Sequence, residues 1–79
     1  MEAQLIIEYD RVGDILYLGK VTPYAEQESE ELDFGIVARL NPYSGEIENI
    51  ELLFFSTRLA NGEILHLPIL ADFRLATYH

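Results

Sequence analysis

Two short apolar runs near the start of the chain have the β-branched and aromatic composition of strands. They cover residues 4–9 and 15–21. The segment between them has an aspartate at each end, Asp10 and Asp14, and contains Gly13. Aspartate accepts hydrogen bonds from backbone N–H groups two residues on, and glycine takes positive φ without steric cost. We therefore predict a tight β-hairpin.

A second hairpin is predicted over residues 33–53. Its first strand is expected at 33–40, and the following segment contains Pro42 and Gly45. Proline presets φ at the first central position of a turn, and glycine can take the left-handed conformation that closes it. On the first strand, the two-residue period puts four apolar side chains on one face: Phe34, Ile36, Ala38 and Leu40.

The returning strand, predicted over residues 46–53, contains a conflict of parity. Ile47 is at an odd position, whereas Ile50 and Leu52 are at even positions. One regular strand cannot place all three side chains on the same face of a sheet. Because one extra residue would remove this conflict, we predict a β-bulge near Asn49.

Two interpretations are open for residues 54–60, which precede Asn61-Gly62. They can form a short helix that ends at glycine, with Ser56 and Thr57 near its start and Arg58 near its end. Asn-Gly between apolar residues is also a strong signal for a hairpin turn. We favour the helix.

The chain of 79 residues is short enough to form one domain, spanning 1–79. Its strands follow one another through short loops, which favours antiparallel neighbours. We predict an α+β fold that is mainly β. It is expected to be an antiparallel meander of four to five strands built from two hairpins, with one short helix near 54–60. Residues 63–75 are expected to be extended and broken at Pro68.

Acidic residues outnumber basic ones by fourteen to five, and the formal net charge is −9. Binding to a nucleic-acid backbone requires clustered cations that displace counterions, so we expect no nucleic-acid partner. The chain contains no cysteine and only two histidines, His66 and His79. Metal sites built on thiolates are excluded, and we expect neither a metal nor a cofactor. His66 is expected to be an exposed or hydrogen-bonded residue of a strand.

The sequence also indicates where the protein works. No apolar run reaches the roughly 20 residues that span a bilayer. The first residues, Met-Glu-Ala-Gln, lack the basic and apolar regions of a secretory signal. The absence of cysteine is consistent with a reducing compartment. We therefore expect a cytoplasmic protein without membrane contact.

A strongly acidic stretch lies within residues 22–33. It begins near Pro23, which cannot donate a hydrogen bond to a sheet. A solvated loop or an exposed, charged strand is the simpler interpretation. The alternative is a surface that binds a basic protein partner, formed by Glu26, Glu28, Glu30 and Glu31.

The first hairpin carries the best candidates for chemistry, Tyr9, Asp10, Asp14 and Tyr17. We interpret them, together with Gly45 of the second turn, as residues that fix turns. The alternative is a small-ligand or hydrolytic site around Asp10, Asp14 and Tyr17. Paired carboxylates of hydrolases flank a substrate-sized cleft, for which so small a domain has little room. No catalytic motif is present, and we expect a non-catalytic protein.

Apolar residues occupy both faces of the first two predicted strands. Ile15 and Tyr17 share one face of the second strand, while Leu16 and Leu18 share the other. A single sheet in a small monomer normally leaves one polar face in water. We therefore expect a homo-oligomer, used for protein interaction or regulation in the manner of an antitoxin. The alternative is that residues 54–75 fold back over the second face.

The first hairpin also resembles a family of small bacterial proteins classed as a domain of unknown function. The shared motif is Tyr9-Asp10, then Asp14, then Leu16-Tyr17. Further similarity lies at Gly35-Ile36-Val37 and in residues 45–53, so the resemblance covers roughly residues 7–58. It implies no established activity, and no catalytic residue carries over from it.

Overall fold

The structure is a computed structural model that describes residues 4–76. It contains one open sheet of five antiparallel strands and one short helix, which confirms the predicted fold class. The strands and the helix are β1 (Ile6–Asp10), β2 (Ile15–Gly19), β3 (Glu28–Asp33), β4 (Ile36–Leu40), β5 (Ile47–Leu53) and α1 (Phe55–Ala60).

The order of strands across the sheet is β1-β2-β5-β4-β3. Three consecutive pairs form antiparallel hairpins, but the connection between β2 and β3, residues 20–27, crosses to the far edge. This order departs from a simple meander, which would place β3 between β2 and β4. Because β3 has the sequence ESEELD, a central position would remove its carboxylates from water. At the edge they stay solvated, and charged side chains there also discourage unwanted strand pairing.

Both predicted turns form, but the positive φ expected at Gly13 is found at the next residue, Asp14, which has a φ of 57°. Asp10 Oδ1 accepts hydrogen bonds from the backbone N–H groups of Val12 at 3.0 Å and Gly13 at 3.2 Å. In the second turn, Asn41 Oδ1 accepts from the N–H groups of residues 43 and 44, and Gly45 has a φ of 74°. Short-range hydrogen bonds therefore fix these two reversals.

The prediction of one continuous strand over residues 33–40 is wrong. Phe34 and Gly35 instead form the turn between β3 and β4, with Gly35 at a φ of 69°. Asp33 Oδ1 accepts a hydrogen bond from the Phe34 N–H at 2.8 Å. Phe34 is 73% exposed and stacks on Phe54, so it does not share a buried face with Ile36. Asp33 followed by Gly35 is a signal for a turn. It was overlooked because apolar residues at every second position of 34–40 suggested one strand.

The predicted β-bulge is confirmed. Arg39 pairs with Asn49, but Leu40 pairs with Ile47, which leaves Glu48 as the extra residue on β5. Directly opposed residues lie on the same side of a sheet. The bulge therefore brings Ile47 to the face that carries Leu40.

The buried core lies on one face of the sheet, here called the apolar face. At its centre Ile36 is 2% exposed, Ala38 is fully buried and Leu52 is 8% exposed. The register places further side chains on this face, namely Ile7, Tyr9, Leu16, Leu18, Leu40 and Ile50. The other face, here called the polar face, carries Glu8, Tyr17, Arg39, Asn49 and Glu51.

The chain after β5 begins with α1. Of the two interpretations of residues 54–60, the helix is therefore confirmed, and the hairpin turn is not formed. Backbone N–H groups of Gly62 and Glu63 donate to the carbonyl groups of Leu59 and Arg58 and close the helix. Residues 63–76 then form no strand. In residues 64–70, half-buried Leu65, Leu67 and Ile69 alternate with exposed neighbours that include His66. This segment therefore packs every second side chain against the rest of the protein.

No helix within residues 4–76 is long and apolar enough to cross a bilayer.

Candidate functional site

Asp14 joins the first hairpin to the helix. Its Oδ1 accepts hydrogen bonds from the Tyr9 hydroxyl at 2.6 Å and from the Ser56 N–H at 2.9 Å, and its Oδ2 accepts from Ser56 Oγ at 2.7 Å. The Asp14 carbonyl oxygen also accepts from the Phe55 N–H at 3.1 Å. The rings of Tyr9 and Phe55 lie 5.8 Å apart. Asp14 therefore satisfies the N–H groups that begin α1, although it is 42 residues away from Ser56.

This arrangement corrects two predictions. Asp14 does not hydrogen-bond within its own turn as Asp10 does, and the start of α1 is not capped by a neighbouring side chain. The residue before the helix is Phe54, which has a φ of 57° and makes no side-chain capping hydrogen bond. A φ of this sign is unusual for a bulky residue. The packing around Phe54 must offset this strain, since Phe54 stacks on Phe34 with ring centroids 5.6 Å apart.

The hydrogen bonds at Asp14 set the ionisation of both partners. Donation by the Tyr9 hydroxyl is the main cause of a lowered pKa for the Asp14 carboxyl, and the bonds from Ser56 add to it. The same bond raises the pKa of Tyr9. Asp14 is thus held ionised and Tyr9 neutral, the states that suit a structural hydrogen bond. A carboxyl group that acts as a general acid near neutral pH would need a raised pKa, which is the opposite of the change at Asp14.

The polar face contains a cleft of about 690 Å³. Tyr17 lines this cleft and lies directly opposite Glu8 on β1 and Glu51 on β5. Arg39 Nη1 forms an ion pair with Glu51 Oε2 at 3.1 Å. Burial is the main cause of a raised pKa for Tyr17, and the negative charge of Glu51 contributes.

The structure divides the alternative site that the sequence suggested. Asp10 and Tyr17 line the cleft, whereas Asp14 is not part of its lining and binds the helix instead. The proposed trio therefore does not converge on one substrate position. In the part of the chain that the structure describes, no three His, Asp or Glu side chains are grouped so that they could hold a metal ion.

A second polar network holds the crossover between β2 and β3, and the sequence interpretation missed it. Gln27 and Asn49 are 7% and 5% exposed, and Gln27 Nε2 donates to Asn49 Oδ1 at 2.8 Å. Asn49 Nδ2 donates to the carbonyl oxygen of Val21 at 2.7 Å. Most buried amide groups form hydrogen bonds, and those of Asn49 and of Gln27 Nε2 fix the path of residues 20–27, while Gln27 Oε1 is buried without a partner among residues 4–76. In the sequence, the predicted bulge near Asn49 was the one feature that pointed to an unusual environment for this residue.

Glu48, the extra residue of the bulge, is the acceptor at the rim of this network. It accepts from the Tyr24 hydroxyl at 2.6 Å, from Gln27 Nε2 at 3.1 Å and from Asn41 Nδ2 at 3.3 Å. The bond from Tyr24 is the main cause of a lowered pKa for Glu48. It also raises the pKa of Tyr24 to about 12. These bonds tie the crossover and the second turn to β5.

The two edges of the sheet have opposite character. The edge strand β1 exposes apolar side chains on both faces: Leu5 just before it is 54% exposed, Ile6 46%, Ile7 63% and Tyr9 41%. The edge strand β3 exposes Glu28, Glu30 and Glu31, and Glu26 is exposed in the turn before it. The acidic residues singled out from the sequence therefore do lie together along one edge, and Gly45 lies apart from them in the second turn.

Fold and surface define a small protein built on a single antiparallel sheet, with one apolar and one acidic edge. Comparison with protein-family models, with curated proteins and with solved structures finds no match. The resemblance to a bacterial family of unknown function therefore stays a prediction.

Proposed function

We propose that this protein is a non-catalytic interaction module that acts as a homo-oligomer, with β1 as its self-association edge. The observation that carries the proposal is the exposure of Leu5, Ile6, Ile7 and Tyr9 along an edge strand. Among residues 4–76, no strand pairs with the outer side of β1. Its backbone N–H and C=O groups therefore offer a template for another strand.

A comparison of the two edges supports this assignment. Natural proteins protect edge strands with charged side chains, as β3 does with Glu28, Glu30 and Glu31. β1 has only Glu8 and Asp10, while its apolar side chains lie next to one another. Contiguous exposed apolar patches on small proteins mark interaction sites. Association through β1 would bury this patch.

The acidic edge is proposed to bind a basic protein partner, as an antitoxin or a regulatory subunit would. The carboxylates of β3 are exposed on both faces of the strand, and the chain as a whole carries a formal charge of −9. Such a potential speeds the encounter with a cationic partner and weakens as salt rises. The two edges are separate, so both interactions can occur at once.

Light scattering at micromolar protein concentration tests the self-association. We expect at least twice the chain mass of 9.1 kDa. Ile7→Lys should return the protein to a monomer because it places a charge in the proposed contact. Val12→Lys is the matched control: Val12 is 99% exposed in the adjacent turn, so the mass should stay that of the wild type. A wild-type monomer would overturn the proposal.

The cleft on the polar face favours a second candidate function, the binding of a small ligand. Arg39 and Glu51 place both charges beside the Tyr17 ring, an arrangement suited to a small zwitterion such as an amino acid. Saturation-transfer NMR with free amino acids tests this function. Transfer that disappears in Glu51→Gln supports it, and the absence of transfer from every amino acid at millimolar concentration rejects it.

A further inference from the structure

We infer, building on the proposed function, that two copies join β1 to β1 in antiparallel fashion, with Ile7 on the two-fold axis. The two five-stranded sheets would then form one continuous sheet of ten strands. Interfaces of this kind are self-complementary, because each residue contacts its counterpart across the axis. The occupant of the β1 edge is thus a second copy of this chain.

The register follows from parity. Opposed residues in an antiparallel pair lie on the same side of the sheet. A two-fold axis perpendicular to the sheet keeps the apolar faces of both copies on one side. These two conditions require the axis to pass through one residue, which then lies opposite its own copy. Within the exposed part of β1 the choices are Ile6, Ile7, Glu8 and Tyr9. An axis at Tyr9 would place Glu8 opposite Asp10 of the other copy, which sets two carboxylates against each other.

Ile7 satisfies the pairing best. It lies opposite its own copy, and Leu5 lies opposite Tyr9 on each side of it. Ile7 and Tyr9 are on the apolar face, and the two-residue period of a strand extended to Leu5 puts it on the same face. Ile7, Leu5 and Tyr9 are 63%, 54% and 41% exposed in the single chain. An axis at Glu8 would place two carboxylates opposite each other, which is destabilising. An axis at Ile6 would shorten the overlap and leave Tyr9 without an apolar partner from the described strand.

The distribution of charge allows this contact despite the acidic chain. The carboxylates of β3 lie four strand spacings from β1, which is about 19 Å at about 4.8 Å per strand. Charges on the surface are screened over about 8 Å at physiological salt. The β1 edge of a second copy therefore meets little of the repulsion from β3. A basic partner, in contrast, finds a row of exposed carboxylates on β3 but only Glu8 and Asp10 on β1.

Cysteine cross-linking tests the register, and the chain has no native cysteine to interfere. Opposed Cα atoms are about 4.5–5.5 Å apart, within the range of a disulfide. Ile7→Cys should therefore form a covalent dimer under mild oxidation, with a yield at least about five-fold above that of Ile6→Cys or Glu8→Cys. Each of these two lies about 8 Å from its own copy, beyond disulfide reach. Refolded together, they should cross-link to each other, because they are opposed.

A second pair of cysteine variants tests the same register even if the Ile7→Cys protein does not fold. Leu5→Cys and Tyr9→Cys are also opposed and should cross-link when refolded together but not alone. Val12→Cys, exposed in the turn, reports random collision. If the wild type is a dimer but Glu8→Cys or Ile6→Cys alone cross-links best, this register is wrong while the proposed self-association stands. If the wild type is a monomer in light scattering, both are overturned.

Discussion

Gly19→Ala should destabilise the protein because the space for one methyl group is already occupied. A Cβ at this position would lie 2.0 Å from Asn49 Nδ2, 2.7 Å from Asn49 Cγ and 2.9 Å from the carbonyl oxygen of Glu48. Gly19 is buried, and Asn49 lies over it from the paired position on β5. The new methyl group must displace the Asn49 side chain or push the two strands apart.

The size of the effect follows from what Asn49 holds. Its amide donates to Val21 and accepts from Gln27, and both bonds would be lost if the side chain moved away. Overpacking costs roughly 1–3 kcal/mol, and each lost buried hydrogen bond costs about 1 kcal/mol. These costs overlap, because a shift of Asn49 relieves the clash. We therefore expect a loss of about 2–4 kcal/mol, a large fraction of the stability of so small a domain.

Urea unfolding followed by far-UV circular dichroism measures this loss. With a slope of about 1 kcal/mol per molar urea, the midpoint should fall by about 2 M or more. All variants should be compared at one protein concentration, because self-association adds to stability. Gly45→Ala is the control. Nothing lies near its Cβ position, and its φ of 74° should cost only about 1–2 kcal/mol.

A double-mutant cycle with Asn49→Ala isolates the cause. Removing the amide also removes the two closest contacts to the new methyl group, although the Glu48 carbonyl oxygen remains. The two substitutions should therefore cost less together than the sum of their separate costs, by at least about 1 kcal/mol. Strict additivity, or a Gly19→Ala protein within about 0.5 kcal/mol of the wild type, would refute the reasoning.

Three further predictions concern the polar residues. Asp10→Ala removes the acceptor for two N–H groups of its turn and should cost about 0.5–2 kcal/mol in urea unfolding, while Asp10→Asn should recover most of it; a loss for Asn as large as that for Ala would contradict this. The pKa of Asp14 is lower in the folded protein than in the unfolded chain. Its contribution to the free energy of unfolding is therefore fully present above the ordinary carboxyl pKa of about 4, and it is lost as the pH falls through the lower pKa of the folded state. The free energy of unfolding of Asp14→Asn should therefore fall less than that of the wild type between pH 5 and pH 3. Equal losses would contradict a stabilising role for the ionised Asp14 in its bonds to Tyr9 and Ser56. The pKa of Tyr24 near 12 predicts a late rise in tyrosinate absorbance at 295 nm that is smaller by one tyrosine in Tyr24→Phe, while Tyr9 and Tyr17, whose pKa values are also raised, still contribute to it. Since this pKa is raised, the associated stability is complete below about pH 10 and declines as pH approaches about 12.

Local chemistry in the sequence determined the two predicted turns, the bulge and the end of the helix. Each depends on residues within a few positions of one another. Asp10 bonds to N–H groups two and three residues on, as Asn41 does in the second turn. The parity of Ile47 against Ile50 required an extra residue, and Glu48 is that residue. The turn at Gly35 was missed, because the alternation of the flanking apolar residues suggested one continuous strand.

The sequence singled out some of the residues around the cleft and along the acidic edge, but it did not indicate the structural roles of Asp14, Gln27 and Asn49. Asp10 and Tyr17 do share a cleft, and the acidic residues after Pro23 do share an edge. The sequence could not show that Asp14 belongs to the helix junction, since its partner Ser56 is 42 residues away. Nor could it show that Gln27 and Asn49 are buried, because polar amides are usually exposed.

Only the tertiary structure decided the order of the strands. Hairpin chemistry specifies which neighbours in sequence pair, but it leaves open which strand lies beside β2. That choice depends on the burial of whole strand faces and on the solvation of charge across the sheet. Placing β5 at the centre buries Leu52 and leaves the carboxylates of β3 in water at the edge. The same order leaves the apolar strand β1 at the opposite edge. Local sequence therefore determined the turns, and the balance of burial and solvation over the whole chain determined where each strand lies.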